Sequence, residues 1–453
     1  MSNRSHDSYG DYAVVQVPRD QLKSAFGLFL VYTGVLVCIA VIWGGGALGN
    51  GLTFYDMVKA SVLGSLILGV IGFFTAKIGG HTRASTYVIL RHSFGRIGSM
   101  WAGAAVSGIA CGIGWFFIQA WLFGTVFSTI AKELWGSVPF WASAPAASLW
   151  GAVLMTLSAA FGYKGIAFLS YLAVPLFLIA LGGGSYAAIT EAGGFSAALV
   201  AQPANPMPFA GAVTAVVGMY IAGATITSDI SRYSEKPNDG GWAWFWQVVL
   251  LQPVLMLAGG TLTLLTPASD VAQAMAHLGI GLGALVLIVF GQWTTNDNNL
   301  YNGALAFANT FRVKKATITI IMGFIGAVLA SMTAAGFFGT DPFIKFLTQL
   351  GRFLPPIAGV LLADFYVFKP YKLGKKDADE RYAFGPGTRY SRYNVAGMAA
   401  WVLAGLLAPS IPGIVALNSV LLGFVLYLVI AWGASAMNLK YEVGTWIEGE
   451  DGF

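Results

Sequence analysis

The sequence predicts an all-α integral membrane protein of twelve transmembrane helices, arranged as a five-plus-five inverted repeat with helices one and six broken. Three observations predict the membrane fold and its spans, and the repeat rests on the pattern of breaks. Of 453 residues, 57% are hydrophobic and only 10% charged, where a soluble domain carries roughly 25% charge. Apolar runs of about 20 residues, one bilayer crossing each, recur along the whole chain with no soluble block between them. Lys and Arg fall on alternate connections, which orients the spans.

The spans are expected near Phe26 to Trp43, Met57 to Lys77, Met100 to Phe127, Ala147 to Phe161, Ile166 to Ala187 and Ala210 to Ile230, and then near Trp242 to Leu265, Gly281 to Phe311, Thr317 to Met332, Asp341 to Tyr366, Val395 to Leu407 and Val420 to Met437. Residues 1–24 and 438–453 are then tails around a twelve-helix domain over 25–437. With the N-terminus in the cytoplasm, 21 of the 25 basic residues lie inside, among them Arg83, Arg91, Arg232, Lys314, Lys369 and Arg392. Lys59, Lys132, Lys345 and Arg352 fall outside or within a span. The rule that cytoplasmic connections are positive thus favours an even span count and two cytoplasmic termini. The polar N-terminus and the long first apolar run do not read as a cleaved signal peptide.

The first span runs into Trp43-Gly44-Gly45-Gly46-Ala47-Leu48-Gly49-Asn50-Gly51, and the sixth holds Ala222-Gly223-Ala224-Thr225 with Thr227 and Ser228 behind it. Broken backbone at membrane depth is tolerated where it lines an enclosed cavity. Two breaks five spans apart are the pattern of an inverted repeat with its ligand site at the midplane. The alternative is that these glycines serve close helix packing.

The eighth span carries Gly291-Gln292-Trp293-Thr294-Thr295-Asn296-Asp297-Asn298-Asn299. Polar groups inside a span face a bundle interior or a pathway. The Thr294 and Thr295 hydroxyls with the Gly291 carbonyl offer the hard oxygen ligands that a cation such as sodium takes; the alternative is bonding back to their own helix. In the third span Trp115 and Gln119, four apart, share a helical face. An indole beside a carboxamide can stack on a flat heterocycle and bond its edge, although such an aromatic also serves packing. Tyr220, two residues before the sixth-span break, could cover the ring's other face.

Asp229 with Arg232 reads as a local ion pair or gate, Asp364 similarly, and Asp297 as a group that orients the amides of span eight. Pro355-Pro356 break span ten. His6, His81, His92 and His277 lack metal spacing, and Cys38 and Cys111 sit in apolar runs as free thiols. Phosphate-loop, nucleophile and zinc motifs are absent, which argues against an enzyme and against a built-in energy source.

These residues resemble the nucleobase:cation symporters of family 1, the cytosine permease branch most closely, over essentially the whole membrane domain. The resemblance is carried by Trp43-Gly44-Gly45, Ala47-Leu48-Gly49 and Gly51, His92-Ser93-Phe94-Gly95, Gly114-Trp115-Phe116 and Ser228-Asp229 with Arg232-Tyr233. It continues through Trp293-Thr294-Thr295-Asn296-Asp297-Asn298, Phe307-Ala308-Asn309, Pro355-Pro356 and Ala363-Asp364. It implies alternating access on the five-plus-five fold, with sodium on the Gly34, Val37 and Gly291 carbonyls and the Thr294 and Thr295 hydroxyls. It implies substrate stacking on Trp115, Tyr220 in place of the usual span-six aromatic, and Gln119, Asn296 and Cys38 bordering the ring.

Cytosine permeases typically carry glutamine at the position of Gly112 and serines at those of Met219 and Ala222. A site without those groups loses discrimination for the ligand that needs them. The resemblance therefore implies import of a nucleobase or related small heterocycle, cytosine, purine or hydantoin-like, with a cation. Proton coupling is the nearest alternative, and a passive channel a more distant one. The expected partners are that substrate, the coupling cation and the bilayer of the inner (plasma) membrane. No resident cofactor, nucleic acid or obligate protein partner is expected.

Overall fold

The Ser24 hydroxyl accepts the Gly27 amide at 3.3 Å and so caps a helix whose first turn would leave that donor orphaned. The computed structural model describes residues 12, 15–161, 179, 181–281, 293, 295–297, 299–301, 303–304, 306–307, 314–339, 341–384 and 387–447. The helices of interest are α1 (Ala25–Leu36), α2 (Ile39–Gly51), α3 (Phe54–Thr82), α4 (Thr86–Phe94), α5 (Arg96–Gly103), α6 (Phe116–Trp135), α7 (Ala144–Phe161) and α8 (Phe209–Thr225). After them come α9 (Ser228–Ser231), α10 (Asp239–Leu265), α11 (Val271–His277), α12 (Lys315–Ala334), α13 (Pro342–Phe353), α14 (Pro355–Ala363), α15 (Val395–Leu407) and α16 (Val415–Ala436).

Seven helical runs among the described residues are long and apolar enough to cross a bilayer, and α1 with α2 makes a further crossing bent by 60°. The helices Ala144–Ala160 and Val395–Ser410 are apolar but shorter. The expected spans near Ile166 to Ala187 and Gly281 to Phe311 fall largely outside the described residues. Side chains such as Leu421, Val425 and Val429 on α16 face outward, as lipid contact requires.

The first break does not lie on the glycine run. Residues 44–51 are continuous helix, and the chain turns instead at Val37 and Cys38. The glycines serve packing: a side chain on Gly45 would strike the Met256 carbonyl, one on Gly49 the Gly260 carbonyl, and one on Gly259 the Ile42 carbonyl. Helices α2 and α10 thus meet backbone to backbone, which only glycine allows and which dispersion rewards in lipid. In the sixth span too the small residues Ala222-Gly223-Ala224-Thr225 are continuous helix, and the interruption comes just after them, at Ile226 and Thr227, within one run, Phe209–Ser231.

The third span is one run, Arg96–Trp135, whose middle, Ala104–Trp115, is π-helical. A wider turn of this kind shifts the side chains beyond it around the axis and is frequent at functional sites. Pro355 and Pro356 lack the amides that would bond the Gly351 and Arg352 carbonyls. The Ser419 hydroxyl approaches the Gly351 carbonyl at 3.4 Å, and the Trp401 indole donates to the Phe353 carbonyl at 2.8 Å. Arg352 reaches across to the Gly405 carbonyl at 2.6 Å, capping the end of α15.

At the end where α1 begins, residues 16–23 lie against two connections. The Val17 amide donates to the Arg83 carbonyl at 2.9 Å, and the Lys23 amide donates to the Tyr233 carbonyl at 2.6 Å. Arg83 has φ of 52°, a left-handed C-cap unusual for a side chain with a Cβ. The same end carries a small antiparallel sheet, β1 (Arg389–Asn394) with β2 (Glu442–Ile447), in which Ser391 pairs Thr445. The segment after α16 is therefore bound to the connection between α14 and α15.

Candidate functional site

At the first break the Cys38 amide donates to the Leu36 carbonyl at 2.8 Å, and the Val41 amide to the Cys38 carbonyl at 3.3 Å. In an unbroken helix those amides would serve Gly34 and Val37. Both carbonyls expected to hold the cation have thus had their helical donors diverted. Thr295, expected opposite them, is half-buried in helix, while Gly291 and Thr294 lie outside the described residues.

The carbonyls of the sixth-span break are answered by protein. The Thr75 hydroxyl lies 2.7 Å from both the Ala224 carbonyl and the Thr227 hydroxyl, and the Tyr32 hydroxyl donates to the Thr227 carbonyl at 2.9 Å. The Asp229 carboxylate accepts the Thr86 amide at 2.8 Å, at the positive N-terminus of α4. Arg232 meets Asp229 at its main-chain carbonyl, 3.1 Å away, and the Tyr12 carbonyl at 2.8 Å. The Asp229 carboxylate thereby also ties α9 to α4.

Trp115 ends the π segment, and its indole packs edge to face on Phe346 at 5.2 Å and near Phe343 at 6.3 Å, both on α13. Gln119 is buried one turn on. Asn296 is fully buried; its Nδ2 donates to the Phe116 carbonyl at 3.1 Å, and its Oδ1 has no hydrogen-bond partner among the described residues. A buried amide oxygen left unmet awaits a donor.

Tyr220 stands on α8 and is half-buried. Its ring stacks on Trp244 of α10 at 4.8 Å. Met219 lies over Gly44, and both Met219 and Ala222 are buried and apolar. Gly112 faces elsewhere: a Cβ there would come within 2.7 Å of the Gly303 Cα, so the third and eighth spans meet glycine to glycine. A glutamine at this position has no room in this packing.

Asp297 turns away from this space. Both its carboxylate oxygens lie 2.9 Å from the Ser158 hydroxyl of α7, which also accepts the Trp293 indole at 2.9 Å. It holds span eight to α7. Sequence reasoning missed Tyr32, Thr75 and Trp244, which join the two broken spans to α3 and α10. The cluster Trp242-Ala243-Trp244-Phe245-Trp246 could have flagged Trp244, but such clusters also mark membrane interfaces.

The family model for permeases for cytosine/purines, uracil, thiamine and allantoin matches residues 16–444. The chain is 30% identical to a cytosine permease of Escherichia coli over 423 residues, 91% of this chain and 92% of that one. It is 22% identical to a hydantoin permease of Microbacterium maritypicum, covering 92% of this chain and 88% of the relative. Among solved structures it matches Mhp1, a nucleobase-cation-symport-1 family transporter, closed with bromovinylhydantoin bound, at a TM-score of 0.72 and 18% identity, over 94% of this chain and 96% of that one. The inward-facing conformation of Mhp1 matches at 0.75 and 18% identity, over 93% of each chain. These matches at low identity speak for the fold alone, an all-α membrane architecture. With the family model spanning nearly all of it, the chain belongs to the nucleobase:cation symporters of family 1, as a multi-pass transporter of nucleobases or related heterocycles with a cytosine permease-like relation.

Proposed function

We propose that this protein imports a nucleobase or related small heterocycle together with sodium by alternating access, across the inner membrane, on twelve spans with five-plus-five inverted symmetry and both termini in the cytoplasm. Sodium takes the Gly34, Val37 and Gly291 carbonyls and the Thr294 and Thr295 hydroxyls. Substrate lies between Trp115 and Tyr220, with Gln119, Asn296 and Cys38 at its edges. The observation that carries this reading is the diversion of the helical donors from the Gly34 and Val37 carbonyls at a 60° break. Hard oxygens without helical partners are what a desolvated alkali cation needs.

Binding of sodium first orders the junction of spans one and eight, and substrate affinity rises with it. The apolar Met219 and Ala222 and the crowded Gly112 leave the amides of Gln119 and Asn296 to read the substrate's polar edge. That arrangement favours a cyclic ureide or amide such as a hydantoin over cytosine.

The experiment is a thermal-shift screen of the detergent-purified protein against nucleobases, hydantoins and related heterocycles in sodium and in choline, because a ligand bound by the folded state stabilises it by mass action. A heterocycle whose stabilisation grows with sodium is expected. Stabilisation indifferent to sodium but sensitive to pH would favour proton coupling, for which Asp297, a buried carboxylate inside a span, is the supporting observation.

A further inference from the structure

Trp244 has a place that binding alone does not explain. It is 1% exposed, and its helix α10 packs on α1, α2 and α3. Its indole N–H donates to the Leu68 carbonyl of α3 at 2.9 Å, which fixes the ring's plane. The Tyr220 ring lies on that plane at 4.8 Å with 28° between the two, and the Tyr32 ring meets it edge-on at 5.4 Å and 82°. Tyr32 stands on α1 two residues before Gly34 and five before Val37, and its hydroxyl is tied to the Thr227 carbonyl at 2.9 Å. Gly223 leaves room for the stack: a Cβ there would lie 2.7 Å from the Tyr220 ring and 3.2 Å from the indole.

We propose that Trp244 is the positioning residue through which cation and substrate act on one another. The inference rests on the reading of Gly34, Val37 and Tyr220 given above. A cation drawn onto the Gly34 and Val37 carbonyls orders the last turn of α1 and hence Tyr32. The indole cannot turn without giving up its bond to Leu68, so the place taken by Tyr32 sets the place open to Tyr220, the ring against which the substrate lies. Linkage makes the effect mutual: substrate that settles Tyr220 settles Tyr32 and tightens the cation. Tyr32 on α1 and Tyr220 on α8 stand on different helices, and one rigid side chain on a third, α10, is in contact with both.

The test is equilibrium binding of radiolabelled cytosine and radiolabelled hydantoin to the purified full-length protein, in sodium chloride and in choline chloride. The readout is the ratio of the two affinities, which a merely structural role would leave unchanged while lowering both. For the probe that the unaltered protein binds more tightly in sodium, Trp244→Leu and Gly223→Ala are expected to bring the enhancement to within about twofold of unity, from the roughly 5–150-fold usual for such couplings. Tyr32→Phe keeps the ring edge on the indole and is expected to keep the enhancement. An undiminished ratio in the Trp244 and Gly223 variants overturns the proposal. Should Trp244→Leu fail to fold, Gly223→Ala carries the test, since it leaves the indole and its bond to Leu68 in place. An unaltered protein whose affinity for both probes ignores sodium overturns the cation site itself, and the role of Trp244 with it. Comparing unaltered and variant proteins tells the two failures apart.

Discussion

The Tyr427 hydroxyl donates to the Asp364 carboxylate at 2.7 Å, joining α16 to the π-helical continuation of α14. The same carboxylate accepts Tyr382 at 2.8 Å and Ser93 at 3.1 Å, and Lys369 Nζ stands 4.0 Å from it. It is fully buried, so four separate segments meet on one charge. Removing that charge strands the Tyr427 hydroxyl and the Lys369 ammonium and leaves the Ser93 and Tyr382 hydroxyls only one another, 2.9 Å apart. Asp364→Ala is therefore expected to cost about 3–5 kcal/mol and Tyr427→Phe about 1.5–3 kcal/mol, read as the order of their melting temperatures in detergent. Equal, small shifts would show that the carboxylate holds nothing together.

Thr295→Ala removes one hard oxygen from the proposed cation shell while leaving helix propensity intact. The expected outcome is normal membrane insertion with loss of the sodium dependence of uptake in proteoliposomes. Uptake that keeps its sodium dependence would move the cation elsewhere.

Trp115→Ala is expected to weaken substrate by about 1–3 kcal/mol, the scale of a stacked heteroaromatic ring. Trp115→Phe should recover part of it. The comparison separates stacking from the contact that Trp115 makes with Phe346, because an unaltered affinity in both variants leaves only packing.

Gly45→Ala puts a methyl against the Met256 carbonyl, and neither helix has a flexible side chain to withdraw. Overpacking of this kind costs about 1–3 kcal/mol. The loss is expected as a lower melting temperature, and Gly34→Ala, with open space around its Cβ, serves as the contrast. Indistinguishable melting of the two would deny the close approach of α2 and α10.

His92 gives a pH dependence. Burial first, and then Lys369 and Lys375, hold its imidazole well below the ordinary range, and its ring is stacked on Tyr382 at 4.1 Å with Tyr390 and Phe384 at its edges. The folded state keeps it neutral while the unfolded state takes up a proton. Its contribution is thus complete above the unfolded value of about 6.5 and is lost as pH falls below it, at up to about 1.4 kcal/mol per pH unit. Thermal melts between pH 7.5 and 5 should show that slope, and His92→Gln should flatten it.

How far the sequence reaches can be judged from particular residues. The interruption of the sixth span is only half legible: the small residues Ala222 to Thr225 stay helical, and the chain departs just beyond them at Ile226 and Thr227. The first break is misplaced, because a glycine run reads equally as a break and as a packing seam; only α10 on the other side decides it. Trp115 and Gln119 are legible from spacing alone, whereas the π turn that aims them leaves no local signature. Gly112 looks like a missing ligand until Gly303 is seen filling its space. The partners of Asp364 are hidden for a plainer reason: Ser93 is 271 residues away from it, and no periodicity spans such a distance.

Strand β2 bears on how the corner around His92 is closed. Strand β1 carries Tyr390, one wall around His92, and the β1 main chain crowds Gly95 at the end of α4. Its hydrogen-bonding partner, residues 442–447, follows α16 in the chain. The enclosure of His92 and the seating of α4 therefore draw on a strand that lies beyond α16, and a chain cut before residue 442 would leave this corner unfastened.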